Sequence, residues 1–167
     1  MPSKPQSVND ALISAAMKDV YRGCEAKDWS PYPLSEPLST FWAVVQAQEK
    51  INNGGFQYFF EADWPQKPNY KIFINAFRRI GAKESADWVE DAVEQFPFPE
   101  PHLYYKRRRE YLVASRSGQG QYDSVIDRLG ERLMDLSDDT YAKLAAYVRA
   151  NSEAFPTVKA LLSRCET

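Results

Sequence analysis

Four carboxylates recur at helical spacing in KESADWVEDAVEQF, residues 83–96: Glu84, Asp87, Asp91 and Glu94. At about 100° per residue they share one face of a helix. The opposite face is apolar and carries Trp88, Val89, Ala92, Val93 and Phe96. Carboxylates one helical turn apart can imitate a line of phosphates toward a basic protein, because they repeat negative charge along one direction. The pattern therefore predicts either a partner-binding face or a face that only contacts water.

The local charge supports the first interpretation only in part. Residues 83–100 carry six acids against one lysine, which gives 1 − 6 = −5. A second acidic group further along the chain is diluted by Arg128 and Arg132. Its members are Asp127, Glu131, Asp135, Asp138 and Asp139. We take the segment of residues 83–96 as the stronger candidate.

A Gly-Gly step in QEKINNGGFQYFF, residues 48–60, is the second candidate. Its spacing matches neither the phosphate loop GxxxxGK[ST] nor the dinucleotide fingerprint GxGxxG. Asn53 or Gly54 can take the left-handed conformation that ends a helix, and Gly55 lets the backbone turn before Phe56 starts the next turn. The segment predicts a corner between helices. Backbone amides at the start of the next turn leave an anion site open as the alternative.

Catalytic interpretations rest on fewer residues. Glu49, Glu61 and Asp63 flank the Gly-Gly step and could form a carboxylate pair in a small hydrolase or ligand-binding site. The pocket would be lined by Tyr58, Phe59 and Trp64. His102 is the single histidine and lies in the proline-rich FPFPEPH, where a structural or surface role is favoured over general-base catalysis. The balance favours a protein that is not an enzyme.

The cysteines and histidine give no metal or cofactor motif. Cys24 and Cys165 lie near opposite ends of the chain and form no CxxC or Cys/His cluster, and HExxH is absent. We therefore predict reduced structural thiols, no metal and no cofactor.

The elements that position these residues are predicted to be helices throughout. Hydrophobic spacing and caps indicate an all-α, single compact domain of about seven to nine helices over residues 1–167. The predicted helices cover residues 7–24, 35–55, 56–60, 69–82, 83–96, 103–115, 122–136, 137–151 and 155–165, with a loop at 116–121. The predicted inward residues are Val8, Leu12, Ala15, Ala16, Val20, Tyr21, Leu38, Phe41, Trp42, Val45, Ile51, Ile72, Phe73, Ala76, Phe77, Ile80, Val125, Ile126, Leu129, Leu133 and Leu136.

The net charge bears on the class of partner, and the first residues of the chain bear on the location of the protein. The net charge is −2, so bulk charge argues against nucleic-acid binding. The basic run Lys106 to Arg109 between tyrosines keeps a single-stranded nucleic-acid site open, although on a helix some of these residues should pair with acids or cap carbonyls. The start MPSKPQSVND lacks an apolar run, and no window has the length of a membrane span. We expect a cytoplasmic protein.

These residues also carry a resemblance to a known family. Glu49, the NNGGF of residues 52–56, the QYFF that follows and AFRRIGAKESADWVEDAVEQF of residues 76–96 resemble the DMP-nineteen-like family. That family is bacterial, all-helical and of unknown function, and it includes a DNA-mimic protein. Weaker similarity extends the resemblance to about residues 35–156. It implies an acidic surface that occupies the DNA-binding face of a transcription regulator, with a homodimer left open, and it assigns no contact residues.

Together the observations favour a nonenzymatic cytoplasmic interaction protein that binds a basic partner, such as a DNA-binding regulator, through its acidic helical face. Two alternatives stay open. One is a small hydrolase or ligand-binding protein that uses the NGGF corner. The other is an immunity-type inhibitor that blocks a toxin.

Overall fold

The computed structural model describes residues 7–25, 34–117 and 124–165. In these residues all regular structure is helical, with eight α-helices, two short 3-10 helices and no strand. The α-helices are α1 (Val8–Glu25), α2 (Leu38–Glu61), α3 (Lys71–Arg79), α4 (Lys83–Glu94), α5 (Tyr105–Ser117), α6 (Val125–Asp135), α7 (Ser137–Ala150) and α8 (Pro156–Cys165). The predicted all-α class and helix number are confirmed. Most of the predicted loop at 116–121 lies outside the described residues.

The chain divides into two compact units. The terminal unit contains Met1–Trp42 and Tyr141–Thr167, and the central unit contains Ala43–Thr140. The boundaries fall within α2 and within α7. The single domain over residues 1–167 stays a prediction.

In the terminal unit, side-chain caps fix the starts of two helices. Ser7 Oγ accepts from the Asp10 amide at 3.1 Å, and the Ser7 amide donates to Asp10 Oδ2 at 3.0 Å, so Ser7 and Asp10 cap the start of α1 reciprocally. The buried carboxylate of Asp19 accepts from the Thr157 amide at 2.9 Å and from its hydroxyl at 2.6 Å. This carboxylate satisfies an amide in the first turn of α8 and joins α8 to α1.

An aromatic cluster forms the core of the central unit. Phe56, Phe59 and Phe60, directly after the glycines, have no exposed surface. Phe59 contacts the rings of Phe60 and Phe73 with centroid distances of 5.1 and 5.3 Å, both edge to face. Tyr70 and Phe96 complete the cluster around Phe60. Burial of each phenylalanine stabilises the fold by about 1.5–3 kcal/mol, so this short segment anchors the central unit.

Four residues predicted to point inward are exposed: Val8, Tyr21, Ile72 and Val125. Val8, Ile72 and Val125 lie in the first turn of their helices, and Tyr21 lies just before the last turn of α1. Spacing assigns such residues to the correct side, but an end turn can project beyond the neighbouring helix. The predictions fail there for this reason. Leu38, Trp42 and Leu136 are half-buried, and the other predicted inward residues are buried.

Candidate partner-binding site

The acidic face consists of Glu84, Asp87, Asp91 and Glu94, all four of them exposed on α4. The same helix buries Ser85, Ala86, Val89 and Ala92. Trp88 and Val93, predicted to lie on the buried side, are only half-buried. Helix α4 is held by its packing against α3 and α6, so the four carboxylates project from a fixed element.

Basic side chains neutralise little of the acidic face. Arg78 on α3 donates to Glu90 Oε2 at 2.5 Å and lies 3.7 Å from Asp87 Oδ1. Within the described residues, Glu84, Asp91 and Glu94 make no ion pair. Three exposed carboxylates of one helix therefore have no basic partner in the part of the chain that the structure describes.

Two further acids lie at the start of α7, close to the first turn of α4. Ser85 Oγ and Thr140 Oγ1 lie 3.1 Å apart in the core, which brings the first turns of the two helices together. Asp138 and Asp139 are exposed in that turn of α7. Carboxylates are favourable in a first turn because the helix dipole is positive there. These aspartates belong to the group that the sequence analysis ranked second, and the fold places them beside the start of the acidic face.

The flank of α4 that faces α6 is less acidic. The guanidinium of Arg132 lies 5.0 Å from the centroid of the Trp88 ring. This contact holds a positive charge beside the acidic face and agrees with the predicted dilution of the α6 acids by arginine.

The glycine step is a kink within α2. Gly55 has φ 62° and ψ −162°, a region essentially restricted to glycine, whereas Gly54 is extended at φ −179°. The predicted corner before Phe56 is present. The prediction that Asn53 or Gly54 takes the left-handed conformation is wrong, because Gly55 carries the positive φ and Gly54 needs none.

Helix α6 lies directly on this kink at Gly130. A Cβ atom at Gly130 would be 2.8 Å from the Phe56 amide nitrogen and 3.2 Å from Gly55 Cα. The backbone of α6 therefore covers the amide that the anion-site alternative requires, and no side chain fits between the two helices. Sequence reasoning missed Gly130, although a glycine inside a helical pattern is a signal of close packing.

Three residues of the catalytic alternative make structural contacts: Phe59, Glu61 and Trp64. Phe59 and Trp64 are buried in the aromatic cluster, and the Trp64 indole donates to the Phe59 carbonyl at 3.1 Å. Glu61 accepts a hydrogen bond from Gln57. Tyr58 is exposed. Two of the three predicted pocket residues are thus part of the core rather than of an open substrate site.

The basic run divides between core and surface. Arg108 is buried, and its guanidinium donates to the carbonyls of Phe60 at 3.0 Å, Pro101 at 2.7 Å and His102 at 3.0 Å. Arg107 lies on the Phe98 ring, 4.2 Å from its centroid. Arg108 therefore links the end of α2 to residues 101–102. It caps backbone carbonyls, as the sequence analysis expected of some residues in this run.

The remaining groups give no metal centre in the described part of the chain. No group of three or more His, Cys, Asp and Glu side chains there could hold a metal ion. Cys24 is buried with a free thiol whose pKa is raised by desolvation, and the side chain of Cys165 lies outside the described residues. None of the helices in these ranges has the length and apolar character needed to cross a membrane.

The single histidine provides a test of the structure around residues 100–108. Desolvation lowers the pKa of His102 below 6.5, and Arg108 lowers it further, while Glu100 raises it. The folded protein binds a proton at His102 less readily than the unfolded chain does. The contribution of His102 to the free energy of unfolding is therefore fully present above pH 6.5 and decreases as the pH falls below that value. We expect an NMR titration midpoint below 6.5, and His102→Gln should reduce the loss of stability on acidification. A titration midpoint above 6.5, the ordinary pKa of histidine, would contradict the desolvated position of His102.

The described residues form an all-α protein with an exposed carboxylate surface on α4. A family model described as DMP19-like protein matches residues 33–151. This match covers more than half of the chain, and the chain belongs to the DMP19-like protein family. No curated protein and no solved structure gives a significant match. The resemblance predicted from the sequence is confirmed.

Proposed function

We propose that this protein is a nonenzymatic interaction protein whose acidic face binds a basic partner, such as a DNA-binding regulator. The observation that carries the proposal is the set of three exposed carboxylates, Glu84, Asp91 and Glu94, without an ion pair in the described residues. These carboxylates supply negative charge that no basic side chain of the described residues pairs with.

The spacing of the acidic face suits a basic surface. Residues three and four apart on a helix have Cβ atoms about 5–6 Å apart, so the carboxylates form a row along α4. A rigid row of like charge attracts a positive surface over about one Debye length and guides its approach. Asp138, exposed in the first turn of α7, adds negative charge near one end of this row.

Family membership supports a role in the manner of a DNA mimic. A regulator that binds DNA through lysine and arginine side chains presents the charge that the acidic face would meet. In this proposal the partner is met in the cytoplasm and its DNA-binding surface is covered. The homodimer that the resemblance leaves open stays a prediction.

A capture experiment with three matched baits tests the proposal. The first bait is the wild type, and the second carries Glu84→Gln, Asp87→Asn, Asp91→Asn and Glu94→Gln. The third neutralises four other exposed acids: Glu25→Gln, Glu49→Gln, Asp63→Asn and Glu110→Gln. Both variants change the formal net charge from −2 to +2, so they differ only in position.

We expect the wild type and the third bait to retain one basic protein in stoichiometric amount from a native lysate at low salt. The second bait and high salt should release it, because the attraction is between exposed charges. All baits should melt alike, since neutralising like charges three or four residues apart changes helix stability by only about 0.2–0.5 kcal/mol per pair. Equal retention by all three baits would refute the acidic face as the binding surface. A captured toxin would favour the immunity-type alternative over a regulator.

A further inference from the structure

A cavity of about 370 Å³ lies between α3, α4 and the 3-10 helix Pro101–Leu103 of the central unit. Ile74, Val93, Pro101 and the ring of Tyr70 supply apolar wall. Ligand cavities in proteins range from about 300 to 1,000 Å³ and are mostly apolar with a few polar groups. This volume is sufficient for one long, unbranched side chain.

The charged groups of this cavity are mostly carboxylates. Glu90, Glu94 and Glu100 line it together with Lys71, and the uncharged polar side chain of Asn69 and the ring of His102 also belong to the lining. Glu90 already accepts from Arg78, whereas Glu94 and Glu100 have no ion pair in the described ranges. Glu94 is the last residue of α4, and that last turn contains no basic residue. A carboxylate at the negative end of a helix is unfavourable by itself, so a cation beside Glu94 would be stabilised.

A second, independent feature is the hydroxyl of Tyr70. The side chain lines the cavity and is only 2% exposed, yet its hydroxyl has no hydrogen-bond partner in the described residues. A buried polar group without a partner is costly and rare in folded proteins. An N–H donor that entered the cavity on a thin stem would satisfy this oxygen.

We propose that the cavity takes a guanidinium or ammonium group on an aliphatic stem, and that the occupant is an arginine or lysine side chain of the basic partner. The methylene stem packs on Ile74 and Val93, as such stems do on apolar surface. The cationic head meets Glu94 and Glu100 and donates to the Tyr70 hydroxyl. This inference rests on the proposed function, because the partner supplies the side chain, and it places an anchor at the Glu94 end of the acidic face.

The direct test uses small probes and needs no partner. Butylguanidinium carries the proposed head on a four-carbon stem, and N-butylurea has nearly the same shape without the charge. His102 also lines the cavity and is the only histidine, so its ring resonances report occupancy without interference. We expect saturable shifts of these resonances with butylguanidinium and an affinity for N-butylurea at least about tenfold lower. An absence of saturation, or equal affinities, would overturn the proposal.

Variants locate the probe within the cavity. Tyr70→Phe removes only the hydroxyl, and Glu100→Gln removes one charge at constant size. Each should weaken butylguanidinium binding by about fivefold to tenfold, since a hydrogen bond to a charged group is involved. The matched controls Tyr58→Phe and Glu110→Gln change exposed residues outside the cavity and should bind as the wild type does. Equal effects in variants and controls would exclude this cavity as the site.

A peptide separates a protein side chain from a free cation. Acetyl-Gly-Arg-Gly-amide should displace butylguanidinium, whereas binding of butylguanidinium without binding of the peptide would assign a free small cation and overturn the side-chain proposal. Tyr70 and Glu100 lie outside the set of four residues changed in the second bait. If the probes fail while that bait loses its partner, only the cavity proposal fails. If the peptide binds while all baits capture alike, only the acidic-face proposal fails.

Discussion

Replacing Arg108 by Met is expected to lower the free energy of unfolding by about 3–5 kcal/mol, the largest effect predicted for one side chain of this protein. The guanidinium donates to the carbonyls of Phe60, Pro101 and His102 and reaches that of Ala62 at 3.4 Å. Methionine fills similar volume but leaves these buried carbonyls without their donor. Chemical denaturation monitored by circular dichroism measures the loss.

The neighbouring arginine supplies the control. Arg109 is exposed, and Arg109→Met should change stability by less than about 0.5 kcal/mol. Arg108→Lys should also destabilise, because an ammonium cannot reproduce the fixed fork of guanidinium donors. Equal stability of the Arg108→Met and Arg109→Met proteins would show that residue 108 does not join the end of α2 to residues 101–102.

The second large effect is expected at the kink of α2. Gly130→Ala should destabilise by about 1–3 kcal/mol, because its Cβ would lie 2.8 Å from the Phe56 amide nitrogen, and backbone cannot move aside as a side-chain tip can. In an open helix interior the same change stabilises by about 1 kcal/mol, so the sign of the effect is the test. The control Ala146→Gly, at an exposed position of α7, measures how much an exchange of alanine and glycine changes stability through helix propensity alone. A more stable Gly130→Ala protein would contradict the contact between α6 and the kink.

Gly55 and Gly54 should respond for different reasons. A Cβ at Gly55 would contact nothing within 4 Å, so the cost of Gly55→Val is backbone strain at φ 62°, of about 1–3 kcal/mol. At Gly54 the backbone is permissive, but a Cβ would lie 2.8 Å from Tyr58 Cβ, so Gly54→Val is destabilised by crowding. Unchanged melting of both proteins would refute the tight kink.

Periodicity was sufficient to predict the helices and most of the core, because both depend on neighbours three and four residues apart. The same information does not show where a packed neighbour ends, and Val8, Ile72 and Val125 were misplaced for that reason. The glycine step was located correctly, but its conformation depends on α6, more than 70 residues further along. The choice between Gly54 and Gly55 therefore lay beyond local sequence.

The candidate site divides in the same way. The exposure of Glu84, Asp87, Asp91 and Glu94 follows from the pattern of one helix and could be predicted. The buried role of Arg108 depends on carbonyls 46 and 48 residues away in sequence. The cavity at Tyr70 requires three elements to meet, and no spacing within one helix indicates it. The partner depends on a second molecule, so only its charge can be argued from this chain.

The most direct test of the acidic face is a titration of the captured partner against the wild type and both fourfold variants at about 50 and 300 mM salt, a range over which screening of exposed charges increases strongly. We predict that neutralising Glu84, Asp87, Asp91 and Glu94 weakens binding by about tenfold or more at low salt and flattens the salt dependence. The control variant, changed at Glu25, Glu49, Asp63 and Glu110, should bind within about threefold of the wild type. Equal affinity of the wild type and the acidic-face variant would contradict the account.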